Sequence, residues 1–381
     1  MAFVAGIATV EEFFAQLYAD PYHDPHSAGR QMNAHFASRF VGENGEWLDL
    51  VNHKNFTSGM APTAAQMPRS IGLGLASKLF RSEKRLQGLT HLSNNGNEVC
   101  FCTIGDASTS EGHFFEAVNA AGVLQIPVAF FVWDDGYGIS VPRSYQTTKG
   151  SISEALAGFQ KKEGTNGVEI YKVKAWDYAG MCEVFEAGIR RIRETHIPAL
   201  FHVEEATQPQ GHSTSGSHER YKSKERLDWE SEYDGIAQMR QWIVNQGIAT
   251  EEEITTLENV ATQSVKDAQK QAWLDFLAPI KSEVNELITL LNQLASTISP
   301  ELGAIAKELS DAKDPIRRDM GVAIHKALRL TLHATASDRK PLLDYLKKFE
   351  EINGQRYSSH VYSERDRKST RLNSSHITIS Y

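Results

Sequence analysis

Short apolar runs alternate with amphipathic segments between residues 98 and 205. The runs VCFCTI, PVAFFVW, VEIYKV and ALFHVEEA have the length and the β-branched and aromatic content of buried strands. Between them, SEGHFFEAVNAAGVL and YAGMCEVFEAGIRRIRE show the period of amphipathic helices. This alternation predicts an α/β fold whose parallel sheet is covered by helices on both faces.

The pattern changes after about residue 225. From 226 to 350 the sequence is rich in Glu, Lys, Gln, Leu and Ala, which predicts two or three long helices with breaks at Pro279, Pro300 and Pro315. We therefore predict a first domain over 1–225 and a helical extension over 226–365. Residues 366–381 are polar and aperiodic, resemble a translated sequencing adapter, and take no part in the functional argument.

Composition argues against several kinds of partner. The net charge of -8, without a basic run, argues against nucleic acid and anionic membranes. No apolar run is long enough for a membrane span, and no export signal is evident. Cys100, Cys102 and Cys182 lack the number and spacing of a disulfide framework or a zinc knuckle. These features predict a cytoplasmic protein without nucleic-acid or membrane partners.

Two polar turns follow the first two predicted strands. Asp106 lies in the turn GDAST, and Asp135 lies in the turn DDGYG. The carboxyl ends of parallel strands meet at one edge of a sheet, so both turns can face one hard cation, which takes about six oxygen ligands. A helix beginning near Ser110 would add free amides for a phosphate group. The alternative is purely local: Asp106 and Ser110 cap a helix, and DDG forms a turn.

This stretch resembles the thiamine diphosphate motif of 2-oxoacid dehydrogenases, transketolases and their relatives, in which GDG is followed by NN. Here 29 residues separate Asp106 from Asp135, which fits the family spacing. The resemblance implies thiamine diphosphate and Mg²⁺ as cofactors. The metal ligands that it implies are Asp106, Asp135 and the carbonyl of Tyr137. The cofactor-binding residues that it implies are Gly105, Ala107, Ser108, Thr63, Gln66 and His212.

The motif departs from the family pattern at two places. GDG has become GDA, and NN has become DD. A second aspartate adds negative charge beside an anionic diphosphate, so binding would need additional cationic groups nearby.

Three further segments narrow the resemblance to the alpha subunits of branched-chain 2-oxoacid dehydrogenases. GRQMNAHF, residues 29–36, resembles GRQMPVHY and implies that His35 lies near the active-site channel. APTAAQMPRSIGLGLASK, residues 61–78, resembles the segment whose backbone meets the aminopyrimidine, with Thr63 and Gln66 at matching positions. GHSTSGSHERYKS, residues 211–223, resembles a loop in which a histidine, here His212, contacts the diphosphate and lines the substrate path.

Each of these segments also has a plain structural interpretation. A histidine beside a phenylalanine is commonly a structural residue, the proline-containing turn can simply precede a closely packed helix of small residues, and a Gly/Ser/His-rich loop can be a connector.

The resemblance implies oxidative decarboxylation of a 2-oxoacid, with acyl transfer to a lipoyl-bearing acyltransferase. Branched-chain 2-oxoacids fit the motifs best, and pyruvate is the alternative substrate. In two-subunit relatives the glutamate that promotes the cofactor's proton transfers lies on a beta subunit, and no beta-type sequence is found here. We therefore expect a fragment, trimmed at both ends, of a fused alpha and beta chain that is inactive alone. A non-catalytic scaffold subunit and a transketolase-like enzyme are the competing hypotheses.

Overall fold

The structure is a computed structural model that describes residues 2–30, 33–212 and 217–358. The chain forms two compact units. Residues 37–261 form the first, here called the sheet unit, and the described residues up to 36 and from 262 onward form the second, here called the helical unit. The domain boundary that the sequence predicts near residue 225 stays a prediction.

The described chain contains long helices and short strands, with several 3-10 turns between them. Its helices are α1 (Ala2–Ala5), α2 (Val10–Leu17), α3 (Gln66–Ser82), α4 (Gly112–Leu124), α5 (Ile152–Ala155), α6 (Tyr178–Thr195), α7 (Lys224–Glu232), α8 (Gly235–Asn245), α9 (Glu251–Thr297), α10 (Glu301–Ser310), α11 (Arg317–Leu330) and α12 (Ala336–Asn353). Its strands are β1 (Cys100–Gly105), β2 (Val128–Trp133), β3 (Tyr137–Gly138), β4 (Val141–Pro142), β5 (Glu169–Lys174) and β6 (Ala199–Glu204).

The main sheet of the sheet unit is parallel, in the order β1-β2-β6-β5. Its strands are the four apolar runs that the sequence predicts. Gly105, the last residue of β1, is paired with Trp133, the last residue of β2. The chain therefore leaves both strands at the same level, and the two polar turns begin side by side.

Alternate residues of β2 face opposite sides of the sheet. Phe130 and Val132 belong to a core cluster that includes Met67 of α3 and Phe114 of α4. Phe131 belongs to the cluster on the other face, which includes Ile192 of α6. Both faces are covered by helices, so the predicted α/β architecture is confirmed.

One row of aromatic rings runs across the face that packs against α6. The ring centroids of Phe101 and Phe131 are 5.9 Å apart, those of Phe131 and Phe201 are 4.7 Å apart, and those of Phe201 and Tyr171 are 5.1 Å apart. Each strand of the sheet contributes one ring. Stacked cross-strand pairs of this kind stabilise the order of the strands and their register.

The predicted break at Pro279 is wrong, because α9 continues through this residue. Proline removes a backbone hydrogen bond and costs about 3 kcal/mol inside a helix. Leu277 and Ile280, on either side of it, are buried, and burial of an apolar stripe over many turns outweighs one lost bond. Pro300 and Pro315 do lie between helices, as predicted. None of the helices in the described ranges combines the length and apolarity that a bilayer span needs.

Candidate cation site at the carboxyl ends of the strands

Asp106 is fixed at the end of the sheet directly after β1. Its backbone N–H donates to the carbonyl of Trp133 at 3.1 Å, which ties it to the end of β2. The residue is 4% exposed, and within the described residues its Oδ2 atom has no hydrogen-bond partner. A buried carboxylate oxygen without a partner is costly unless a ligand satisfies it.

Asp135 lies in the tight turn that follows β2. Its Oδ1 atom accepts from the backbone N–H of Tyr137 at 3.1 Å, and its carbonyl accepts from Nη2 of Arg226 at 2.7 Å. Gly136, between Asp135 and Tyr137, has φ +82°, a conformation that glycine adopts without strain. The turn is therefore held by its own side chains and by α7.

The two turns bring the carboxyl groups of Asp106 and Asp135 close enough together for each to shift the pKa of the other. Burial, reinforced by the charges of Asp134 and Asp135, raises the pKa of Asp106 to about 8. Burial also raises the pKa of Asp135. Two buried carboxyl groups this close share a proton unless a cation replaces it.

This pair suits Mg²⁺ in its chemistry. Mg²⁺ takes oxygen ligands, uses one or two carboxylates, and fills its remaining positions with water or phosphate oxygens. In the described residues no group of three or more His, Cys, Asp or Glu side chains is arranged to hold a metal. The pair would thus be completed by a carbonyl, such as that of Tyr137, and by a ligand's phosphate. The assignment of these residues as metal ligands stays a prediction.

Asp134, the first aspartate of the turn, has a different environment. Its Oδ2 atom accepts from Nη1 of Arg143 at 2.6 Å and from Nε2 of His202 at 2.9 Å, and its Oδ1 atom accepts from the N–H of Gly136 at 2.9 Å. The hydrogen bonds from His202 and Arg143 outweigh the effect of burial and lower the pKa of Asp134. Its charge is therefore compensated locally.

Two further cationic side chains, those of Lys222 and Arg226, lie beside the turn. Nζ of Lys222 is 2.8 Å from both carboxylate oxygens of Glu230, and both side chains are buried. Nε of Arg226 also bonds Glu230, at 2.7 Å. The two cations lie over the ring of Tyr137, with Nζ of Lys222 at 5.0 Å and Cζ of Arg226 at 5.5 Å from its centroid. One carboxylate thus faces two cations, and the positive charge of Lys222 opposes the rise in the pKa of Asp135.

The residues predicted from the segment 61–78 lie beside β1 and α4. Nε2 of Gln66, at the start of α3, donates to the carbonyl of Thr103 at 2.9 Å. The carbonyl of Thr63 is 3.1 Å from Nε2 of His113, in the first turn of α4. Gly105 ends β1, and Ala107 and Ser108 form part of the 3-10 turn that follows Asp106. Their cofactor-binding roles stay predictions.

His212 is exposed, and its backbone is hydrogen-bonded to the hydroxyl of Tyr221. The Tyr221 ring lies 5.8 Å from that of Tyr137, so this end of the loop lies beside the DDGYG turn. Residues 213–216 of the HSTS segment lie outside the described residues.

His35 belongs to the helical unit, where its backbone N–H donates to Oε1 of Gln16 at 3.1 Å and its carbonyl accepts from Nε2 of Gln16 at 2.8 Å. Gln31 and Met32 of the GRQM stretch lie outside the described residues. The catalytic roles of His35 and His212 stay predictions.

The local alternative for the two turns is only half correct. Asp134 and Asp135 do form side-chain turns, but the side chain of Asp106 makes no helix-capping hydrogen bond. The helix expected from Ser110 begins at Gly112, after the 3-10 turn Ala107–Ser110. The carboxylate of Asp106 is therefore not explained by secondary structure.

Sequence reasoning missed the partners that compensate Asp134. The available signal was His202, a polar residue in the middle of the apolar run ALFHVEEA. Arg143 and the Lys222–Glu230 pair gave no comparable signal, because each is a charged residue in a polar stretch, even though its partner is only nine or eight positions away.

Comparison with known proteins identifies a family for this chain. The profile of the family described as "Dehydrogenase E1 component" matches residues 2–276. The chain is 26% identical to mouse "2-oxoisovalerate dehydrogenase subunit alpha, mitochondrial" over 265 residues. The aligned region covers 69% of this chain and 51% of the mouse protein. It is 27% identical over 237 residues to "Pyruvate dehydrogenase E1 component subunit alpha" of Rickettsia bellii, which covers 62% of this chain and 63% of that protein.

The chain belongs to the dehydrogenase E1 component family. The resemblance of its motifs to the alpha part of thiamine-diphosphate-dependent 2-oxoacid dehydrogenases is thereby confirmed. The chain spans about half of the length of the mouse relative and 63% of the rickettsial one.

Proposed function

We propose that this chain is the alpha part of the decarboxylating component of a 2-oxoacid dehydrogenase complex, and that it binds thiamine diphosphate with Mg²⁺. The convergence of Asp106 and Asp135 carries this proposal. Their carboxyl groups lie close together at the ends of neighbouring parallel strands, where ligands of open α/β sheets bind.

When bound, thiamine diphosphate supplies the nucleophilic carbon and the electron sink that decarboxylation requires. The protein's task is to hold and orient it. Asp106, Asp135 and the carbonyl of Tyr137 would hold Mg²⁺, which in turn binds the diphosphate. Arg143 and Lys222 offset the charges of Asp134 and Asp135, so the DD turn repels the diphosphate less than its sequence implies.

The remaining predicted residues act around this centre. His212 contacts the diphosphate and lines the substrate path, and its exposure suits both roles. His35 is also proposed to act in catalysis. Gly105, Ala107 and Ser108 contact the diphosphate, and Thr63 and Gln66 contact the aminopyrimidine.

Catalysis needs partners. A beta subunit or beta half supplies the glutamate for the cofactor's proton transfers, and a lipoyl-bearing acyltransferase accepts the acyl group. The substrate is a 2-oxoacid, with branched-chain acids favoured by the GRQM and HSTS stretches and pyruvate as the alternative. A cytoplasmic location, without nucleic-acid or membrane partners, remains part of the same proposal.

Activity measurements test this proposal. The purified chain alone should give no 2-oxoacid-dependent reduction of an artificial electron acceptor. Addition of a beta subunit from a branched-chain enzyme should restore turnover, with 2-oxoisovalerate used faster than pyruvate. Turnover by the chain alone would contradict the need for a beta part, and a preference for pyruvate would contradict the substrate assignment.

The replacement of NN by DD in the motif favours one other candidate, a scaffold subunit that no longer binds the cofactor. Calorimetry separates the two, because a scaffold gives no heat with thiamine diphosphate and Mg²⁺.

A further inference from the structure

The side chain of Asp134 is fully occupied by the protein itself. Three donors bond its two oxygens: Arg143 and His202 on Oδ2, and the Gly136 N–H on Oδ1. Its backbone is held as firmly, since its N–H donates to Val203 and its carbonyl accepts from Ala206, each at 2.9 Å. Asp134 is therefore an anchor that joins the turn to β6.

This environment suits a carboxylate better than an amide. An asparagine has one acceptor oxygen and one NH2 group, and the NH2 group cannot accept from Arg143 or from the N–H of Gly136. Whichever way the amide were turned, one of these two donors would lose its acceptor, and with the NH2 group towards β6 the ring of His202 would also have to change tautomer. Asp134, His202 and Arg143 are thus a matched set.

Arg143 holds the turn at two points. Its backbone N–H donates to the carbonyl of Gly136 at 2.9 Å, while its guanidinium bonds Asp134 at 2.6 Å. Gly136 directly follows Asp135, so Arg143 bonds the residues on both sides of Asp135, one through its backbone and the other through its side chain.

His202 holds the turn from within the sheet. It is 0% exposed, and its Nε2 atom must carry the proton that Asp134 accepts. Its Nδ1 atom is 2.8 Å from the hydroxyl of Ser153, next to α5, so the ring cannot rotate freely. The imidazole therefore fixes the position of the turn relative to β6.

We propose that Arg143 and His202 are positioning residues, which make an aspartate at position 134 compatible with cation binding and orient Asp135 towards Asp106. This inference rests on the function proposed above. Neither residue contacts the cation. They hold the turn that presents the ligand, and loss of such outer contacts typically weakens metal affinity by about 10–100-fold.

The inference is tested by titrating the full chain with Mn²⁺ and measuring the concentration of free Mn²⁺ from its EPR signal. This measurement does not require turnover. Arg143→Met is the decisive variant, because it removes a positive charge. Charge alone predicts tighter Mn²⁺ binding, whereas a positioning role predicts binding weaker by roughly tenfold or more. Arg143→Lys should restore affinity close to the parent's, because the contact to Asp134 uses one nitrogen only. His202→Leu, which removes the hydrogen bonds of the ring to Asp134 and Ser153, should also weaken binding.

A matched control is Arg190→Met, which breaks an exposed pair with Glu186 on α6 and should leave Mn²⁺ affinity unchanged. All measurements are made well below the midpoint of thermal unfolding, with near-UV circular dichroism as the check of folding. A merely structural role would lower that midpoint and leave the affinity of the folded protein unaltered.

Equal or tighter Mn²⁺ binding by folded Arg143→Met would overturn the inference while leaving the proposed function intact. Failure of the parent chain to bind Mn²⁺ would overturn both.

Discussion

The carboxyl groups of Asp106 and Asp135 lie close enough together for each to shift the pKa of the other, although each residue lies in a different turn. They meet because Gly105 and Trp133 are paired at the ends of β1 and β2, so that the next residues of both strands emerge together. Asp106 is the more deeply buried of the two and retains a partnerless oxygen within the described chain. Because burial raises the pKa of Asp106 to about 8, this carboxyl group retains its proton at neutral pH when no cation is bound.

A pH dependence of stability follows from this proton. The pKa of Asp106 is raised by burial to about 8 in the folded protein, while the unfolded chain releases the proton near the ordinary value of 3.8. Between these values the folded state binds more protons, so the stability of the metal-free protein should fall as the pH rises towards 8. Saturating Mg²⁺ should reverse this loss, because the cation stabilises the ionised carboxylates.

Thermal unfolding in EDTA from about pH 5.5 to pH 9 measures this effect on both sides of the pKa of Asp106. Asp106→Asn, which cannot ionise, serves as the reference. The difference in unfolding midpoint between parent and variant should change with pH. A constant difference across this range would rule out a titrating Asp106.

The Lys222–Glu230 pair should be important for stability. Glu230 is 0% exposed and bonds both Lys222 and Arg226, so Glu230→Leu would leave a buried cation without its counter-charge. Breaking a buried pair in this way costs about 3–5 kcal/mol. Urea unfolding measures the loss, and Asp228→Asn on the exposed side of the same helix is the control. Equal stability of the two variants would contradict this assignment.

Two glycines of α3 should respond in opposite ways to alanine. A Cβ atom at Gly74 would lie 2.6 Å from Cγ2 of Val128, so Gly74→Ala should destabilise the sheet unit by about 1–3 kcal/mol through overpacking. A Cβ atom at Gly72 would meet nothing within 4 Å, and Gly72→Ala should stabilise the helix by about 0.5–1 kcal/mol. Urea unfolding of both variants gives the comparison, and changes of the same sign would contradict the close packing of α3 on β2.

Much of the fold could be predicted from the sequence, since β2 is a continuous apolar run, β6 is apolar apart from His202 and its last residue, and the helices between the strands are amphipathic. The proximity of Asp106 and Asp135 followed from topology alone, because turns after neighbouring parallel strands lie together. The partners of Asp134 could not be predicted in the same way. His202 reaches Asp134 only because β6 lies next to β2, and periodicity does not specify that strand order.

Pro279 shows where a local rule fails. A proline predicts a helix break from its own backbone geometry, but the continuity of α9 is decided by apolar contacts such as those of Leu277 and Ile280. These contacts depend on helices that come later in the chain. The positions of such breaks are therefore decided by tertiary packing.

Isothermal titration calorimetry of thiamine diphosphate with the full chain tests most directly whether Asp106 and Asp135 form a cofactor site. Saturable binding is expected with Mg²⁺, with no binding in EDTA. Folded Asp106→Ala should bind weaker by roughly tenfold or more, and Asp228→Asn should bind as the parent does. Binding that persists in EDTA, or that Asp106→Ala leaves unchanged, would contradict the assignment, as would the absence of any heat from the parent chain.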